Sequence, residues 1–522
     1  WTYAEGAIGP IMGVVMRISL QRDAARPLYL QIKDRVQERI EQGILLPGTR
    51  LPATRALAGE LGVSRNTVVN AYAELEAEGW VRSHVGRGTY ISHPQQQDET
   101  VRETPYDWSS TLLGPTGVSA SGMLADMLHL AQNPDLISFA MGAPATDLLP
   151  VRDFREAINQ VLRRDGGRAL QYAEAAGYEP LRAAISRLLA GEGIRVSPKD
   201  VLVTSGSQQG LDLVTRALAA PSDLVITGNP TYLGALDVFR ANGVDVIGVP
   251  VDAEGLQVDV LEAVLTSRRP GFIYTIPSFH NPTGVTMTLE RRERLVRLAR
   301  EHDVIILEDA ICSELRYGGA PLPSLRALDG GDHVIYLNSF SKTLLPGIRV
   351  GYIAVPRGLS ETLVRGKQAA DLFTSSLMQR SLARYLEGGR FEDHLESARR
   401  IYGKRRDAML ASLAQRMPKG TDWTRPEGGL CLWVTLPARM AAGELYLKAI
   451  DHGVAFALGS VFFPHSADPS ALRLNFAAHG CDRIDEGLRR LGKAVRDRLA
   501  SAGEGRSERG RRARRTRAQV TE

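Results

Sequence analysis

The segment 339–352, SFSKTLLPGIRVGY, places one lysine between hydroxyl side chains and an arginine. Lys342 follows the apolar run VIYLN, and a lysine buried behind such a strand should have a lowered pKa and react as a nucleophilic amine. Such an amine can condense with an aldehyde cofactor, and Ser339, Ser341 and Arg349 could donate hydrogen bonds to a phosphate on that cofactor. Because most lysines are solvated surface charges, the role of Lys342 depends on what the rest of the sequence provides.

A second segment, VLVTSGSQQGLDLV at 201–214, has the pattern of a strand, a glycine-containing turn and a helix. The turn places Ser205, Gly206, Ser207 and Gln208 at the start of the helix, where free backbone N–H groups and the helix dipole favour an anion. A glycine turn between a strand and a helix is common, so this signal is weak alone. In combination with Lys342 it predicts a phosphate site.

Further side chains have types and positions that suit a flat, charged ligand. VIILEDA ends an apolar strand in Glu308 and Asp309, and a carboxylate there could pair with a protonated pyridine nitrogen or cap the next helix. Asn281, in SFHNPTG, could donate to a ring oxygen or form the turn. Tyr232, in GNPTYLG, could stack on a heterocycle or pack in the core. Arg473 lies in the apolar run ALRLNF, where a buried guanidinium needs a partner, either a ligand carboxylate or an internal acid.

The size and charge of the chain set outer limits on its function. It has 522 residues, which accommodates two or three domains, and a formal net charge of +5. The segment 501–522 carries seven Arg and three Glu and so accounts for +4 of that charge. Since it has almost nothing apolar to bury, we expect a basic, disordered tail, and the overall charge is poor evidence for a nucleic-acid partner.

The cysteines and apolar runs bear on the compartment. Cys312, Cys431 and Cys481 are widely spaced, which argues against a disulfide framework or a metal site and for a reducing cytoplasm. No apolar run reaches the roughly 18 residues that a membrane helix needs. Residues 1–25 lack the basic front and cleavage site of a signal peptide. We therefore expect a disordered extension at 1–25, a cytoplasmic location and no membrane contact.

Periodicity divides the rest of the chain into two folded regions. Residues 26–92 have the pattern of a helix, a helix-turn-helix and a small hairpin. Residues 93–120 are polar and aperiodic, as expected of a linker. In 121–500, short apolar runs alternate with helical stretches before a part of mixed character. This order predicts an α/β domain with a mostly parallel, helix-covered sheet and a smaller α+β portion.

The region 26–92 has the features of a winged helix-turn-helix DNA-binding domain. A recognition helix that starts at Ser64 would point an arginine, an amide and two hydroxyls at the major groove. Arg55 and Arg87 could reach phosphates or the minor groove. A helical protein-interaction module with solvated arginines is the alternative. The candidate DNA-binding residues are Arg55, Ser64, Arg65, Asn66, Thr67 and Arg87.

Residues 135–495 resemble the fold-type I pyridoxal-phosphate (PLP) enzymes of the aspartate aminotransferase class. The resemblance rests on YAEAAGYEPLRAAI, TSGSQQGL, NPTY, HNPTG, EDA, SFSKTLLPGIRVGY and LRLNF, in this order. It implies that Lys342 binds the PLP aldehyde covalently, that Asp309 pairs with the pyridinium and that Arg473 binds the α-carboxylate of an amino compound. It also implies that Tyr172 reaches the phosphate in the other subunit of a dimer. The remaining cofactor-binding residues that the resemblance implies are Ser207, Gln208, Tyr232, Asn281, Ser341 and Arg349. Ser339 is a further candidate because its hydroxyl lies close to Lys342 in the sequence.

One position departs from the pattern of that family. Its members carry a tyrosine two or three places after the aspartate, whereas this chain has Ile311 and Cys312 there. Loss of that phenol should weaken proton handling, so we expect cofactor binding to survive and full transamination turnover to be weak or absent. No second cationic group marks a site for a distal acid, and Gly234 stands where a side chain that binds one could otherwise lie.

The N-terminal region resembles the winged helix-turn-helix of GntR-type bacterial regulators, over the whole run from PLYLQIKD to GRGTYIS. The two regions together resemble the MocR subfamily. This resemblance implies a head-to-tail homodimer that binds a double-stranded DNA operator and senses an amino compound, or the cofactor itself, through its PLP-binding domain. A working aminotransferase with an accessory DNA-binding domain is the alternative hypothesis. A cofactor-free regulator that kept the fold is the third.

Overall fold

The computed structural model describes residues 26–41, 51–84, 88–92, 135–437, 440–465 and 468–519, together with residues 20, 45 and 133. The expected extension at 1–25 (apart from residue 20), the expected linker at 93–120 and the candidate Arg87 lie outside the described residues.

The N-terminal domain contains three helices and a hairpin. They are α1 (Leu28–Glu41), α2 (Thr54–Leu61), α3 (Arg65–Ala77), β1 (Val81–His84) and β2 (Gly88–Ile91). β1 and β2 pair antiparallel. Val36 of α1, Leu57 of α2 and Leu75 of α3 are buried in one core with Val81 and Ile91 of the hairpin. The helix, helix-turn-helix and hairpin predicted from the periodicity are thus present.

An eight-stranded sheet forms the centre of the large domain. After a short β3 (Ile137–Ser138), its strands are β4 (Val201–Thr204), β5 (Leu224–Asn229), β6 (Asp245–Asp252), β7 (Gly255–Leu256), β8 (Phe272–Thr275), β9 (Ile305–Asp309), β10 (Val334–Ser339) and β11 (Gly351–Ala354). The strand order is β4-β11-β10-β9-β8-β5-β6-β7. The pairs from β6 through β5, β8 and β9 to β10 are parallel, whereas β11 runs antiparallel to both β10 and β4. The predicted mostly parallel sheet is confirmed.

Helices cover both faces of this sheet. They are α4 (Val151–Asp165), α5 (Glu179–Gly191), α6 (Ser207–Leu218), α7 (Leu233–Ala241), α8 (Val258–Ser267), α9 (Leu289–Glu301), α10 (Leu325–Asp329), α11 (Phe340–Thr343), α12 (Ser360–Asp371) and α13 (Ser376–Glu387). Val203 of β4 shares a core with α5 and α13, whereas its neighbour Leu202 shares another with α6 and α12. Because successive strand residues point to opposite faces, a sheet with two such cores must be nearly all apolar.

The C-terminal part forms the smaller α+β portion. Its elements are α14 (Arg390–Arg416), β12 (Asp422–Trp423), β13 (Cys431–Thr435), α15 (Ala442–Asp451), β14 (Val454–Ala455), β15 (Ala457–Leu458), β16 (Ala471–Asn475) and α16 (Cys481–Gln519). Four strands form an antiparallel sheet in the order β12-β13-β16-β15, and β14 pairs with β3. Within the described ranges, none of the helices combines the length and apolarity that a membrane crossing requires.

The end of the chain differs from its prediction. Helix α16 continues to Gln519, so residues 501–519 of the segment expected to be disordered are helical. Arg, Ala, Gln and Glu have high helix propensities, and here they extend a helix that is already anchored in the core through Ile484 and Leu488. A low apolar content therefore did not exclude a helix.

Candidate functional site

A pocket with an empty volume of about 900 Å³ lies at the C-terminal ends of β8, β9 and β10. This is the edge at which parallel α/β sheets commonly bind ligands. The residues that line it are Met141, Gly142, Tyr232, Leu233, Ile276, Phe279, Asn281, Asp309, Ile311, Cys312, Lys342, Leu430, Cys431, Phe462 and Arg473. Five residues that the sequence singled out for roles in cofactor or ligand binding therefore share one pocket: Tyr232, Asn281, Asp309, Lys342 and Arg473.

Lys342 enters the pocket from the short helix that follows β10. Strand β10 is buried along its whole length and ends at Ser339, and α11 then turns the lysine toward the cavity. Its Nζ donates a hydrogen bond to the carbonyl oxygen of Gly142 at 2.6 Å. Burial lowers the pKa of Lys342, and the nearby charge of Arg473 acts in the same direction. The neutral amine, which is the form that attacks an aldehyde, is therefore favoured.

The two acids at the end of β9 have different roles. Asp309 lines the pocket, whereas Glu308 accepts hydrogen bonds from the backbone N–H groups of Leu325 and Arg326 at 3.0 and 2.9 Å and so caps α10. Burial raises the pKa of Glu308 to about 7. Adjacent strand residues point to opposite faces, which is why only one of the two can face the ligand. The sequence left a helix cap and a ligand contact as alternative roles for these acids. In the structure Glu308 forms the cap and Asp309 faces the pocket.

Tyr274 is a site residue that the sequence did not reveal. Its hydroxyl donates to Asp309 Oδ2 at 2.7 Å, and Ile311 N donates to Asp309 Oδ1 at 3.2 Å. Burial raises the pKa of Asp309, while these hydrogen bonds and the charge of Lys342 lower it. Tyr274 therefore orients the carboxylate and favours its charged form. Its position in the apolar strand FIYT gives no signal that separates it from a core tyrosine.

A group of donors suited to a phosphate lies beside the pocket. Ser339 Oγ donates to Ser341 Oγ at 2.8 Å, and Arg349 Nη1 donates to Ser341 Oγ at 3.4 Å. Gly206, with φ +90°, precedes α6, and a Cβ there would lie 2.3 Å from Arg349 Nη2. The bare glycine backbone therefore lets the guanidinium lie against the helix N-terminus at Ser207. Hydroxyls, a guanidinium and a helix N-terminus together form a favourable anion site.

Tyr232 and Gln208 connect this anion site to the pocket. Gln208 Nε2 donates to the carbonyl oxygen of Gly234 at 2.7 Å, and the Tyr232 hydroxyl donates to Gln208 Oε1 at 3.3 Å. Burial raises the pKa of Tyr232 to about 12, so the phenol stays neutral. A Cβ at Gly234 would lie 2.5 Å from the Tyr232 hydroxyl oxygen. The glycine is thus required for the position of the tyrosine.

Arg473 lies on β16 at the opposite wall of the pocket. It is 5% exposed, and its guanidinium lies 4.8 Å from the centre of the Phe462 ring. Nη1 donates to Asn281 Oδ1 at 2.8 Å and Nη2 donates to the carbonyl oxygen of Ala140 at 2.6 Å, while the buried Nε has no hydrogen-bond partner. Among the described residues, no carboxylate forms an ion pair with Arg473. Its charge is therefore available to a ligand carboxylate.

Tyr172 is not part of the pocket in its own chain. Its side chain is 78% exposed, and its ring makes an edge-on contact with Phe373, with 5.5 Å between ring centres.

At the position of the missing phenol, both Ile311 and Cys312 line the pocket. Neither can supply the hydrogen bond of a tyrosine hydroxyl.

Four of the candidate DNA-binding residues, Ser64, Arg65, Asn66 and Thr67, lie together at the start of α3. Gly62 ends α2 with φ 62°, and Ser64 caps α3 by accepting a hydrogen bond from the backbone N–H of Thr67 at 3.1 Å. Ser64, Arg65 and Asn66 are exposed, as is Arg55 on α2. The structure therefore presents this end of the helix to solvent, which the major-groove prediction requires.

The N-terminal domain contacts the small C-terminal part of the same chain. Arg39 on α1 forms an ion pair with Asp451 at the end of α15, with 3.0 Å between Nη1 and Oδ1. Leu447 of α15 packs against the core of the N-terminal domain. The two residues of the ion pair are 412 positions apart in the sequence, so no local pattern predicts this contact.

Comparisons with known proteins agree with this architecture. The family model described as aminotransferase class I and II matches residues 134–491, and that of bacterial regulatory proteins, gntR family, matches residues 28–91. The chain is 41% identical to the 2-aminoadipate transaminase of Thermus thermophilus over 76% of this chain and 99% of that protein. It is 31% identical to the probable rhizopine catabolism regulatory protein MocR of Rhizobium meliloti over 91% of this chain and 95% of that protein.

A solved structure links the fold to its cofactor. The crystal structure of LysN, an α-aminoadipate aminotransferase from Thermus thermophilus in complex with N-(5'-phosphopyridoxyl)-L-leucine, matches with a TM-score of 0.70 at 38% identity. The match covers 76% of this chain and 100% of that one. The pocket fits the same type of group, since it offers an amine at Lys342, a buried acid at Asp309 and an anion site in which a Cβ at Gly206 would displace the Arg349 guanidinium. PLP is therefore the cofactor of this fold, and when bound it serves as an electron sink for an amino compound.

Both halves of the chain are thus accounted for by known families, and the similarity to MocR extends across them. The chain belongs to the MocR-type regulators, in which a gntR-family DNA-binding domain is joined to a PLP-binding domain of aminotransferase class I and II.

Proposed function

We propose that this protein is a cytoplasmic transcription regulator. Its affinity for its operator changes when an amino compound, or the cofactor itself, occupies the pocket at Lys342. A ligand shifts the balance between two arrangements of a protein only by its difference in affinity for them. The proposal therefore requires a physical connection between the pocket and the DNA-binding domain.

The proposed connection would run through β16, β15 and α15, and the contacts along this route carry the proposal. Arg473 on β16 pairs directly with Ala457 of β15. Helix α15, which ends at Asp451 six residues before Ala457, carries the ion pair to Arg39. A carboxylate that binds Arg473 would therefore act on the strand next to the helix that holds the DNA-binding domain. Arg473 is also engaged with Asn281 and Ala140, so a ligand must compete with or rearrange these contacts.

Within the pocket, each functional side chain has a separate task. Lys342, with its lowered pKa, would hold the cofactor and stand ready to accept a proton at Nζ. Asp309, oriented by Tyr274, would hold a positive charge on the ring nitrogen. Arg473 would bind and orient a carboxylate. Tyr232 would cover the ring, with Asn281 beside it, and the donors at Ser207, Gln208, Ser339, Ser341 and Arg349 would hold the phosphate.

We further propose that the active form is a head-to-tail homodimer. Tyr172 is exposed and does not reach the pocket of its own chain, which suits a side chain that contacts the phosphate held by another subunit. An exposed tyrosine packed edge-on against Phe373 is held in place without being buried, so little further entropy is lost when it docks.

A working aminotransferase remains the second candidate because the 2-aminoadipate transaminase shares 41% identity and Lys342 and Asp309 are both present. Ile311 and Cys312, which lack the phenolic donor, favour the regulator instead. The two functions differ in what an amino acid does to the protein. An enzyme turns over repeatedly with an amino acid and a keto acid, whereas a regulator changes its affinity for DNA.

The test is a DNA-binding titration of the PLP-loaded protein. A labelled duplex, selected by this protein from a random library, is titrated by fluorescence anisotropy with and without PLP and amino acids. We expect the apparent Kd to change about fivefold or more, the usual lower range of an allosteric coupling. Steady turnover of amino and keto acid with an unchanged Kd would instead identify an enzyme.

The recognition helix gives a separate prediction. Arg65→Ala should weaken binding of the selected duplex by about 1–3 kcal/mol if Arg65 reads a base edge. The exposed Arg365, on α12 of the large domain, supplies the matched control: Arg365→Ala removes the same charge and should leave the Kd unchanged. If Arg65→Ala binds both the selected and a scrambled duplex with the same affinities as the wild type, Arg65 does not contact the DNA.

Arg87→Ala gives a second, different prediction. It should reduce the slope of binding affinity against salt concentration by the equivalent of about one phosphate contact.

A further inference from the structure

The charges that line the pocket are few, and each already has a partner under the proposed function. Among the described lining residues, the charged side chains are Asp309, Lys342 and Arg473. Asp309 is committed to the ring nitrogen, Lys342 to the aldehyde and Arg473 to a carboxylate. No charged side chain of the described pocket is left for the remainder of the ligand.

The rest of the wall is apolar or neutral. Much of it consists of large hydrophobic side chains, namely Met141, Leu233, Phe279, Ile311, Leu430 and Phe462. The thiols of Cys312 and Cys431 also face the cavity, and burial raises the pKa of both, that of Cys312 to about 12. These thiols and the Tyr232 phenol therefore carry no charge at neutral pH.

Phe279 is built firmly into this wall. A Cβ at Gly428 would lie 2.3 Å from Phe279 Cζ, and a Cβ at Gly429 would lie 2.7 Å from Phe279 Cβ. Two consecutive glycines thus make the space that the phenyl group occupies. Phe279 itself has φ 53°, a conformation that is costly outside glycine and persists only when the surroundings hold it.

A further cation close to the wall is Arg316, and it is engaged elsewhere. Its guanidinium lies 4.9 Å from the centre of the Phe279 ring, yet Arg316 does not line the pocket. Nη1 donates to Glu427 at 2.8 Å and to the carbonyl oxygen of Gly318 at 3.1 Å. An acidic ligand side chain would have to draw Arg316 away from Glu427 and past the phenyl ring.

We propose that the ligand read by this pocket is an α-amino acid with an uncharged, apolar side chain. This inference rests on the proposed function, because it assigns Arg473 to the α-carboxylate. A charged side chain placed against this wall would be buried without a partner, which is strongly unfavourable, whereas an aliphatic, thioether or aromatic group gains from leaving water. The chain then differs in its ligand from the 2-aminoadipate that names its 41% identical relative.

The test compares amino acids on the PLP-loaded, full-length protein. Leucine, methionine and phenylalanine are titrated alongside glutamate, 2-aminoadipate and lysine, with alanine as the reference. The apparent Kd is read from the visible absorption band and, separately, from the shift of the thermal unfolding midpoint. We expect at least one apolar amino acid to bind about tenfold or more tightly than each charged one, which corresponds to one uncompensated polar group. Equal or tighter binding of glutamate, 2-aminoadipate or lysine overturns the inference.

A variant with one added charge tests the wall itself. Met141→Arg places a cation in the pocket and should improve the affinity for glutamate relative to leucine by about tenfold. Val151→Arg adds the same charge at a residue that is 64% exposed and outside the pocket, and it should keep the wild-type ranking. If Met141→Arg binds PLP but keeps the wild-type ranking, the apolar wall does not set the selectivity. If the variant does not bind PLP, the inference is decided by the order of amino-acid affinities measured on the wild-type protein.

Failure of the proposed function gives a different result. If borohydride labels Lys342 in the PLP-loaded protein but no amino acid, alanine included, alters the band or the melting midpoint, then the pocket does not bind amino acids. The ligand inference then falls, and only sensing of the cofactor itself is left of the proposed function, which the DNA titration with and without PLP decides. If charged amino acids bind best and alter operator affinity, the sensor stands and only its ligand class is wrong.

Discussion

Lys342→Ala should abolish the covalent attachment of PLP. The wild-type protein, incubated with PLP and then treated with borohydride, should be labelled on the peptide that contains Lys342, and the variant should show neither this label nor the visible band of the bound cofactor. The reason is chemical: among the described residues, Lys342 is the lysine whose amine lines the pocket, and burial lowers its pKa toward the reactive neutral form. Mass spectrometry of the digested protein and an absorption spectrum measure both effects.

Two further variants make this result specific. Lys199→Ala removes an exposed lysine that precedes β4, and it should keep the label and the band. Lys342→Arg keeps a cation near the Gly142 carbonyl but cannot condense with an aldehyde, so it should fold normally and remain unlabelled. Labelling of Lys342→Ala at another lysine within the pocket would show that the covalent site has been misassigned, and the sensor proposal would lose its anchor.

The effect of amino acids on operator affinity should be lost together with the covalent attachment of PLP. If the amino compound acts through the cofactor, Lys342→Ala should bind the selected duplex but lose its dependence on amino acids. Retention of that dependence would mean that the trigger lies elsewhere in the chain. The DNA-binding domain has its own core, so its fold gives no reason for the basal affinity to fall.

Much of the fold could be predicted because its signals are local. The continuous apolar runs of β4, β9 and β10 reflect a sheet that is buried on both faces, and a run of this kind followed by glycine or polar residues marks the edge where ligands bind. Lys342 and Asp309 could be placed there from the sequence because each directly follows or ends such a run. The start of α3 was equally readable, since Ser64 is a strong helix cap and Gly62 ends the helix before it.

Other parts of the site could not be predicted, for physical reasons. Glu308 and Asp309 are chemically alike and adjacent, and only the three-dimensional strand decides which one faces the pocket. Tyr274 resembles a core residue because its ring is indeed buried, and its function lies in one hydroxyl. The carbonyl groups of Ala140 and Gly142 contribute backbone atoms that any residue would carry. The contact between Arg39 and Asp451 joins distant parts of the chain. It exists only because the DNA-binding domain packs against the small C-terminal part, which no local pattern encodes.

Arg473→Gln should separate carboxylate recognition from cofactor binding. The variant should still bind PLP, because Lys342, Asp309 and the anion site at Ser341 and Arg349 are unchanged. Its affinity for alanine should fall by about 100-fold or more, since two hydrogen bonds from a charged donor contribute roughly 1.5–3 kcal/mol each. Absorption titrations of wild type and variant with alanine measure this loss.

A ligand without a carboxylate distinguishes recognition from general damage to the pocket. Ethylamine has the amine of alanine and lacks its carboxylate, so the wild type should bind alanine far more tightly, whereas Arg473→Gln should bind the two with nearly equal affinity. Loss of the Asn281 and Ala140 contacts in the variant would disturb both ligands alike and so cannot remove the difference between them. If the variant still prefers alanine as strongly as the wild type does, the carboxylate is held by another group. The proposed route from the pocket through β16 and α15 to Arg39 would then have no starting point.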